Sequence, residues 1–245
     1  MQPLARTCNT WLIDGAEPAL IDAGVPAPDG IDDLARRLEG RALVRVLITH
    51  AHPDHVSGLD AIRARWPSAI VCHWQSDGGA GSHRIAEGDV VMVGDGTVTV
   101  RHTPGHAPDH VCFWDAARRW LYTGDMIIQG SSVMIPARRG GHLRSYLASL
   151  ERLAALDPVR AYPGHGSVIE QPRALIDEYL SHRRMREEQV IACLRTGVSE
   201  LDDIVARIYP DLPEGLKEPA RQTIEAHLEK LREEGRLRGS GDRLS

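Results

Sequence analysis

Residues of metal-binding type are concentrated in one short stretch of the chain. Three histidines and one aspartate fall within six residues, at His50, His52, Asp54 and His55. His50 and His52 are two residues apart at a predicted strand end, so their side chains leave the backbone on the same side. Pro53 ends the strand pairing, after which Asp54 and His55 open the next helix. Imidazole and carboxylate groups at this density favour a zinc-type site over a polar turn with clustered histidines.

Three more candidate ligands follow three later predicted strands. His106 ends a Thr-Pro-Gly-His turn, Asp125 follows Tyr-Thr-Gly, and His165 lies within Tyr-Pro-Gly-His-Gly. Taken singly, each is also typical of an ordinary turn. Together with the first stretch they provide enough imidazole and carboxylate groups for two metal ions that share a carboxylate. Manganese or iron suits the same nitrogen and oxygen ligands as zinc.

The elements that must position these residues alternate strand pairs with single helices. Residues 9–21, 91–102 and 111–123 predict three hairpins, and residues 43–48 predict a buried strand before the first histidines. Helices are predicted at 29–39, 56–66 and 142–156, whereas residues 75–87 carry three glycines and no period and predict a loop. The fold class is therefore α/β (α+β), a four-layer αββα sandwich of two mixed sheets covered by helices.

The composition changes after Pro172. Residues 173–195 predict a long charged helix, 199–209 and 218–234 two shorter helices, and 235–239 a short wing. This order predicts a winged helix, with another three-helix cap as the alternative. We therefore expect a sandwich domain at residues 1–172 and a winged-helix domain at 173–245. Ile224, Leu228 and Leu231 form an apolar stripe that packs inside this domain or, alternatively, joins a homo-oligomer.

Composition limits the class of protein. A net charge of -5 over 245 residues provides no overall positive field for nucleic acid. The four cysteines lie far apart and form no Cys-x-x-Cys pair, which predicts a reducing, cytoplasmic setting. No segment approaches the roughly 20 apolar residues that cross a bilayer, and the N-terminus lacks a signal-peptide pattern. Membrane insertion and secretion are therefore not expected.

The complete ligand order resembles that of the metallo-beta-lactamase fold superfamily of hydrolases. The residues that carry the resemblance are His50-x-His52-x-Asp54-His55, His106, Asp125 and His165. It covers roughly residues 9–170. The resemblance implies a first metal on His50, His52 and His106, a second on Asp54, His55 and His165, and Asp125 bridging the two. Antibiotic-hydrolysing members usually carry cysteine where Asp125 stands, so the resemblance does not favour antibiotic hydrolysis.

The C-terminal motifs are similar to those of the beta-lactamase-like protein 2 group. They are Tyr162-Pro-Gly-His-Gly-Ser-Val-Ile169, Tyr179-Leu-Ser-His-Arg183, Ile208-Tyr-Pro210 and His227-Leu-x-Lys-Leu231. Members of this group carry a winged-helix tail, and the animal representative is regarded as a single-strand-specific endoribonuclease. Related sequences act as thioesterases on carrier-bound acyl chains. In this chain Met1 stands close to the first predicted strand, so the segment that usually precedes it is shortened. The resemblance therefore does not predict the outer edge of the first sheet.

The resemblance predicts a binuclear, zinc-dependent hydrolase whose two cations share a hydroxide nucleophile. Asp54 is expected to bind the second metal and also to aim that nucleophile, so no serine or cysteine nucleophile is required. Cys72 and Cys112 fit strand patterns and are expected in the core. His110, four residues past His106, is a candidate for an outer contact to the ligands.

Three functions with different requirements remain open. A single-stranded RNA phosphodiesterase would use a basic path, for which Arg138-Arg139 and Arg183-Arg184 are candidates. An acyl thioesterase, or another small-molecule ester or lactone hydrolase, would use an apolar slot, for which the candidates are Val133, Met134, Ile135, Trp74 and Trp114. A non-catalytic winged-helix DNA-binding protein would be expected to have lost ligands, whereas this chain keeps all seven.

Overall fold

The computed structural model describes residues 8–25, 28–74, 81–238 and 243–244. Its first sheet has five strands. They are β1 (Trp11–Ile13), β2 (Ala19–Ile21), β3 (Arg45–Leu47), β4 (Ile70–His73) and β5 (Ser82–Arg84), paired in that order. β1 and β2 pair antiparallel, which confirms the predicted hairpin. From β2 to β5 the pairing is parallel. The sheet is therefore mixed.

The second sheet also has five strands. They are β6 (Val90–Val93), β7 (Gly96–His102), β8 (Val111–Asp115), β9 (Trp120–Gly124) and β10 (Arg160–Pro163). β6 to β9 form an antiparallel meander, which confirms the two predicted hairpins, and β10 pairs with β9 in parallel. β7, β9 and β10 consequently run in the same direction, and their C-terminal ends lie at one edge of the sheet.

The described residues form seven α-helices: α1 (Pro28–Leu38), α2 (Pro53–Val56), α3 (Leu59–Arg65), α4 (Leu143–Ala155), α5 (Pro172–Arg195), α6 (Leu201–Ile208) and α7 (Lys217–Glu233). α1 and α3 cover the outer face of the first sheet, and α4 and the first half of α5 cover that of the second. Leu20 of β2 packs with α1 and α3, while its neighbours Ala19 and Ile21 face the second sheet. In β8, Phe113 faces the first sheet and Trp114 packs with α4 and α5. Alternate side chains thus build three apolar layers, and the predicted αββα sandwich is confirmed.

α5 links the sandwich to a C-terminal unit. Ile176, Tyr179 and Leu180 pack in the sandwich core, whereas Val190 and Leu194 join a separate apolar cluster with α6 and α7. At 24 residues the helix is about 36 Å long, enough to serve both clusters. The proposed boundary after residue 172 falls at its first turn. No helix in the described ranges combines the length and apolar character needed to span a bilayer.

The C-terminal unit ends in a small antiparallel pair, β11 (Leu237–Arg238) and β12 (Arg243–Leu244). The wing was predicted at 235–239, and residues 239–242 lie outside the described ranges. The apolar stripe of Ile224, Leu228 and Leu231 is buried within the unit's own cluster, which corresponds to the first of the two predicted uses.

Two local predictions were wrong. Residues 56–66 do not form one helix: α2 and α3 are separated because the amide of Gly58 donates to the carbonyl of Gly24, 2.9 Å away. The carbonyl of His55 likewise accepts a hydrogen bond from the amide of Ala23. The backbone groups of His55 and Gly58 therefore bind the residues that follow β2 instead of continuing one helix. In the predicted loop 75–87, Ser82–Arg84 pair with β4 as an edge strand. Residues 75–80 lie outside the described ranges.

Candidate metal centre

The candidate ligands stand at the C-terminal ends of strands. His50 and His52 follow β3, and the first turn of α2 carries Asp54 and His55. His106 follows β7, Asp125 directly follows β9, and His165 follows β10. Because these strands end at the same edge of the sandwich, residues far apart in the chain can meet there. The structure brings all seven predicted side chains into two adjoining groups.

The three-histidine group consists of His50, His52 and His106. His50 Nε2 lies 2.8 Å from His52 Nδ1, and His106 Nε2 lies 3.0 Å from the same atom. His50 and His106 are buried and His52 is half-buried. Three imidazole nitrogens that face one point are a common donor set for zinc.

The mixed group consists of Asp54, His55 and His165. His165 Nε2 lies 3.1 Å from Asp54 Oδ2, and His55 Nε2 lies 3.7 Å from the same oxygen. Asp125 stands between the two groups: its Oδ1 is 3.4 Å from His55 Nε2, and its Oδ2 is 3.6 Å from His106 Nε2. One carboxylate therefore faces both groups.

Two buried polar atoms fit a bound cation. Among the described residues, His55 Nε2 and Asp125 Oδ1 are buried and have no hydrogen-bond partner. An unsatisfied buried nitrogen or carboxylate oxygen is costly, so such atoms require an explanation. Both point into the space that the other candidate ligands share. The donor chemistry and the unsatisfied atoms are consistent with a metal centre.

The two groups differ in their electrostatics. Burial lowers the pKa of His50 well below its usual range, so this imidazole is neutral, which is the form that binds a metal. Burial opposes charge on His55 as well, but the Asp22 carboxylate at Nδ1 and the nearby Asp125 carboxylate outweigh it and raise the pKa of His55. Burial also opposes charge on Asp125, yet contacts with His165 and His55 lower its pKa. The mixed group thus stabilises positive charge.

Asp22 anchors His55 and was missed in the sequence. Its buried carboxylate lies 2.8 Å from His55 Nδ1 and accepts hydrogen bonds from the amide and hydroxyl of Thr49. A carboxylate behind a ligating histidine fixes the ring and makes its other nitrogen more basic. The backbone of Asp22 adopts φ 60°, a left-handed conformation that aspartate tolerates better than most residues. Its position at the end of β2 was the available signal.

Asp125 is held by His110 and by a close approach of the chain at Gly164. The Asp125 amide donates to His110 Nε2 at 3.1 Å, so His110 carries its proton on Nδ1, 2.9 Å from the Thr103 hydroxyl. Burial lowers the pKa of His110 well below its usual range and keeps it neutral. A Cβ at Gly164 would lie 2.5 Å from Asp125 Oδ1 and 2.8 Å from His55. The predicted outer role of His110 agrees with this geometry.

His106 is positioned by α4 and by the segment before it. The carbonyl of Met134 lies 2.9 Å from His106 Nδ1. The amide of His142, which caps α4, donates to the carbonyl of Gly105 at 2.7 Å. Gly105 has φ 143°, and a Cβ there would overlap the backbone of Tyr146. These contacts fix the turn that carries His106, and the part played by the Met134 carbonyl has no sequence signal.

Three of the cysteines are excluded as nucleophiles by their raised pKa values. Cys8 Sγ lies 3.3 Å from His55 Nδ1, but burial raises the pKa of this thiol to about 11. Burial also raises the pKa of Cys72 to about 11 and that of Cys112 to about 12. All three are therefore neutral thiols near pH 7. Cys72 and Cys112 lie in the sandwich core, as predicted.

The arginines predicted for a basic RNA path are not arranged for that role. Arg183 is buried, and its guanidinium donates to the carbonyl of Val133. Arg138 pairs with Glu225 at 3.3 Å, and Arg184 lies 3.6 Å from Glu151. The side chain of Arg139 lies outside the described part of the structure. The described arginines are thus buried or already neutralised by a carboxylate.

The predicted apolar slot is mostly core. Val133, Ile135 and Trp114 are buried in the layer between the second sheet and α4 and α5. Met134 is 43% exposed beside His106, and Trp74 stacks on His102 with ring centroids 3.8 Å apart. A separate cavity of about 120 Å³ adjoins His50. Its apolar lining is formed by Ile48, Val56, Leu59 and Trp74.

Two sequence families match parts of the chain. Residues 4–165 match the metallo-beta-lactamase superfamily, and residues 201–243 match the beta-lactamase associated winged helix domain. The chain is 31% identical over 239 residues to the beta-lactamase-like protein 2 homolog of Caenorhabditis elegans, covering 93% of this chain and 79% of the relative. It is 31% identical over 246 residues to the atrochrysone carboxyl ACP thioesterase of Aspergillus chevalieri, covering 96% of this chain and 76% of the relative. The predicted winged helix is thereby confirmed.

Solved structures share the fold. A metallo-beta-lactamase family protein from Thermus thermophilus superposes with a TM-score of 0.75 at 23% identity, covering 96% of this chain and 91% of that protein. The protein TTHA1623, whose structure was solved in a di-iron-bound form, superposes with a TM-score of 0.58 at 27% identity. That match covers 71% of this chain and 93% of TTHA1623.

Proposed function

Because the chain belongs to the metallo-beta-lactamase superfamily of hydrolases, we propose that it uses two metal ions in one centre. The observation that carries this proposal is the pair of unsatisfied buried atoms, His55 Nε2 and Asp125 Oδ1, within the cluster of nitrogen and oxygen donors. The first ion is assigned to His50, His52 and His106, the second to Asp54, His55 and His165, and both to Asp125. We propose zinc, while the di-iron form of TTHA1623 supports iron as the alternative.

The side chains of the centre divide the work. Two bound cations would supply a water molecule of lowered pKa and polarise the substrate oxygen. Asp54 is 34% exposed and its Oδ2 faces His165, so its other oxygen is available to accept a hydrogen bond from the attacking water and aim it. Asp125 is held as a carboxylate between the groups. The raised pKa values of Cys8, Cys72 and Cys112 keep these thiols neutral, so water is the nucleophile we infer.

We propose an acyl thioester, or a related small ester or lactone, as the substrate. The apolar cavity beside His50 and the exposed Met134 beside His106 offer apolar surface next to the donor groups. The similarity to a carboxyl ACP thioesterase supports the same class. An acyl group needs an apolar contact and a polarised carbonyl rather than a run of unpaired cations.

Single-stranded RNA is the second candidate substrate. It is supported by the similarity to beta-lactamase-like protein 2 homologues. The pairing of Arg138 with Glu225 and the burial of Arg183 speak against a basic approach path built from these residues. RNA cleavage would therefore rely on contacts other than the arginines that the sequence suggested.

A substrate panel with purified, metal-loaded protein distinguishes the two. It compares acyl thioesters, lactones, a lactam, a bis-aryl phosphodiester and single-stranded RNA. Asp54→Ala is expected to lower kcat/KM for the thioester by about 100-fold or more, because the attacking water loses its orienting acceptor. Asp60→Ala, an exposed aspartate on α3, is the matched control and should retain activity. RNA cleavage that Asp54→Ala abolishes, with no thioester turnover, would overturn the thioester assignment.

A further inference from the structure

A single carbonyl group determines which nitrogen of His106 carries the proton. Met134 O lies 2.9 Å from His106 Nδ1, and a carbonyl can only accept a hydrogen bond. The proton of a neutral His106 therefore belongs on Nδ1, and the unprotonated Nε2, which faces His52 and Asp125, keeps its lone pair for a metal. Any displacement of Met134 would change both the tautomer and the angle of this ring.

The segment that carries Met134 has no regular secondary structure between residues 125 and 136. Its carbonyls are held from outside by α5. The Tyr179 hydroxyl lies 2.7 Å from the carbonyl oxygen of Ser131 and 2.9 Å from that of Ile128. One turn later, Arg183 Nη2 donates to the carbonyl of Val133 and lies 3.3 Å from the Ser132 hydroxyl. Two side chains of one helix thus hold the segment that leads directly into Met134.

Arg183 is unusual for a residue that only packs. It is 3% exposed, and no carboxylate of the described residues lies within ion-pair distance of it. Its guanidinium lies over the Tyr146 ring, 5.7 Å from the centroid, and its Nε has no hydrogen-bond partner among the described residues. A buried cation without a counter-charge is expensive. Its contacts with the Val133 carbonyl and the Ser132 hydroxyl offset part of this cost, and they act on the segment that orients His106.

We propose that Tyr179 and Arg183 are positioning residues for His106. They hold residues 128–133, so that the Met134 carbonyl retains His106 Nδ1–H and Nε2 stays available in the three-histidine group. This inference rests on the proposed function only in assigning His106 to a metal. The orientation and tautomer of the ring are properties of the chain itself and can be measured independently of any substrate.

The test uses Tyr179→Phe and Arg183→Met in the full-length protein. Tyr179→Phe removes only a hydroxyl, and Arg183→Met keeps much of the packing while removing the donors. Arg184→Met is the matched control, since Arg184 is the exposed neighbour on the same helix. Val190→Ala controls for lost stability, because Val190 is buried in the C-terminal cluster away from the segment. NMR of isotopically labelled histidine at about pH 8.5, roughly two units above the ordinary histidine pKa, reports the His106 tautomer.

Tyr179→Phe and Arg183→Met should each shift His106 from a single Nδ1–H tautomer towards a mixture of tautomers. Arg183→Lys keeps a hydrogen-bond donor and should restore part of the Nδ1–H population. With metal present, a chelator competition should show about 10-fold weaker binding in Arg183→Met. Arg184→Met and Val190→Ala should match the wild type in both measurements. An unchanged His106 tautomer in Tyr179→Phe would overturn the proposal, even if Arg183→Met does not fold. If the wild-type protein hydrolyses no substrate but the His106 tautomer changes in the α5 variants, the result would count against the proposed function and not against this inference.

Discussion

The two ligand groups of the centre are supported in different ways. In the three-histidine group the outer nitrogens meet neutral partners: His106 Nδ1 faces the Met134 carbonyl, and His50 Nδ1 lies 3.1 Å from the Thr49 hydroxyl. In the mixed group His55 Nδ1 faces the buried carboxylate of Asp22 at 2.8 Å. One group therefore depends on neutral hydrogen-bond partners and the other on a buried carboxylate in direct contact with its imidazole.

This difference predicts which changes each group tolerates. A carboxylate behind an imidazole adds negative charge and raises the basicity of the ligating nitrogen. The mixed group also contains Asp54 and adjoins Asp125, so it is suited to hold a dication strongly as long as these charges remain. Among the described residues, Asp125 is the only acid within ion-pair distance of the three-histidine group, which relies on correctly turned rings. The predictions below separate the two dependences.

Gly164→Ala should have the largest effect and should act mainly on the mixed group. The added Cβ would lie 2.5 Å from Asp125 Oδ1 and 2.8 Å from His55 Cε1, so both side chains must move. A displacement of about 1 Å can lower activity roughly 100-fold. Metal analysis should show one ion per chain instead of two, with turnover lower by about that factor. Gly215→Ala, where a Cβ would meet nothing within 4 Å, is the control. Two retained ions would refute the steric argument.

Asp22→Asn should weaken the mixed group more than the three-histidine group, because Asp22 contacts His55 directly and reaches His50 only through the Thr49 hydroxyl. The shape is kept, but His55 loses the charge behind Nδ1. Loss of such an outer partner typically lowers metal affinity about 10- to 100-fold. Competition with a chelator should show this decrease for the ion of the mixed group and a smaller one for the ion of the three-histidine group. Asp14→Asn, which affects an exposed pair with Arg41, should leave both affinities unchanged. Equal weakening of both ions would contradict the assignment of Asp22 to one group.

Thr103→Val should affect both groups equally and modestly. The Thr103 hydroxyl is the partner of His110 Nδ1, and the opposite nitrogen of His110 accepts from the amide of Asp125. Removing the hydroxyl leaves a buried donor unsatisfied, which costs about 1–3 kcal/mol of unfolding free energy. Urea unfolding measures this loss. A selective change in one metal affinity would contradict the view that Asp125 serves both groups.

Sequence reasoning could predict that the seven candidate side chains come together, because they stand at strand ends and share one chemistry. The same rule would have found Asp22 at the end of β2, but a lone aspartate before Ala-Gly is also typical of a turn. The Met134 carbonyl could not be found, because a backbone acceptor leaves no mark in residue type. The burial of Arg183 could not be predicted, because charge is usually exposed and this burial depends on how α5 packs against Tyr146 and Val133. Edge strand β5 is three residues long and too short for a periodic signal.

Glu187→Gln should be the smallest change and should leave the metal centre untouched. Glu187 on α5 lies 3.8 Å from His227 Nδ1 and 2.6 Å from Lys230 Nζ, and these contacts lower its pKa from 4.5 to about 2. The folded state therefore gains stability from this carboxylate above about pH 4.5, and the gain is lost as the pH falls towards 2. At pH 7 the free energy of unfolding of the variant should be about 1 kcal/mol lower than that of the wild type. The difference from the wild type should vanish at low pH, and metal content should stay the same. A pH-independent difference would exclude this carboxylate as its cause.

An anomalous difference map from crystals of the zinc-loaded protein tests the central claim most directly. The account predicts two peaks. One should lie about 2.0–2.2 Å from His50 Nε2, His52 Nδ1 and His106 Nε2, and the other at a similar distance from Asp54, His55 Nε2 and His165 Nε2, with Asp125 contacting both. A map with no peak among these side chains, or with His55 Nε2 and Asp125 Oδ1 satisfied by protein groups instead, would contradict it.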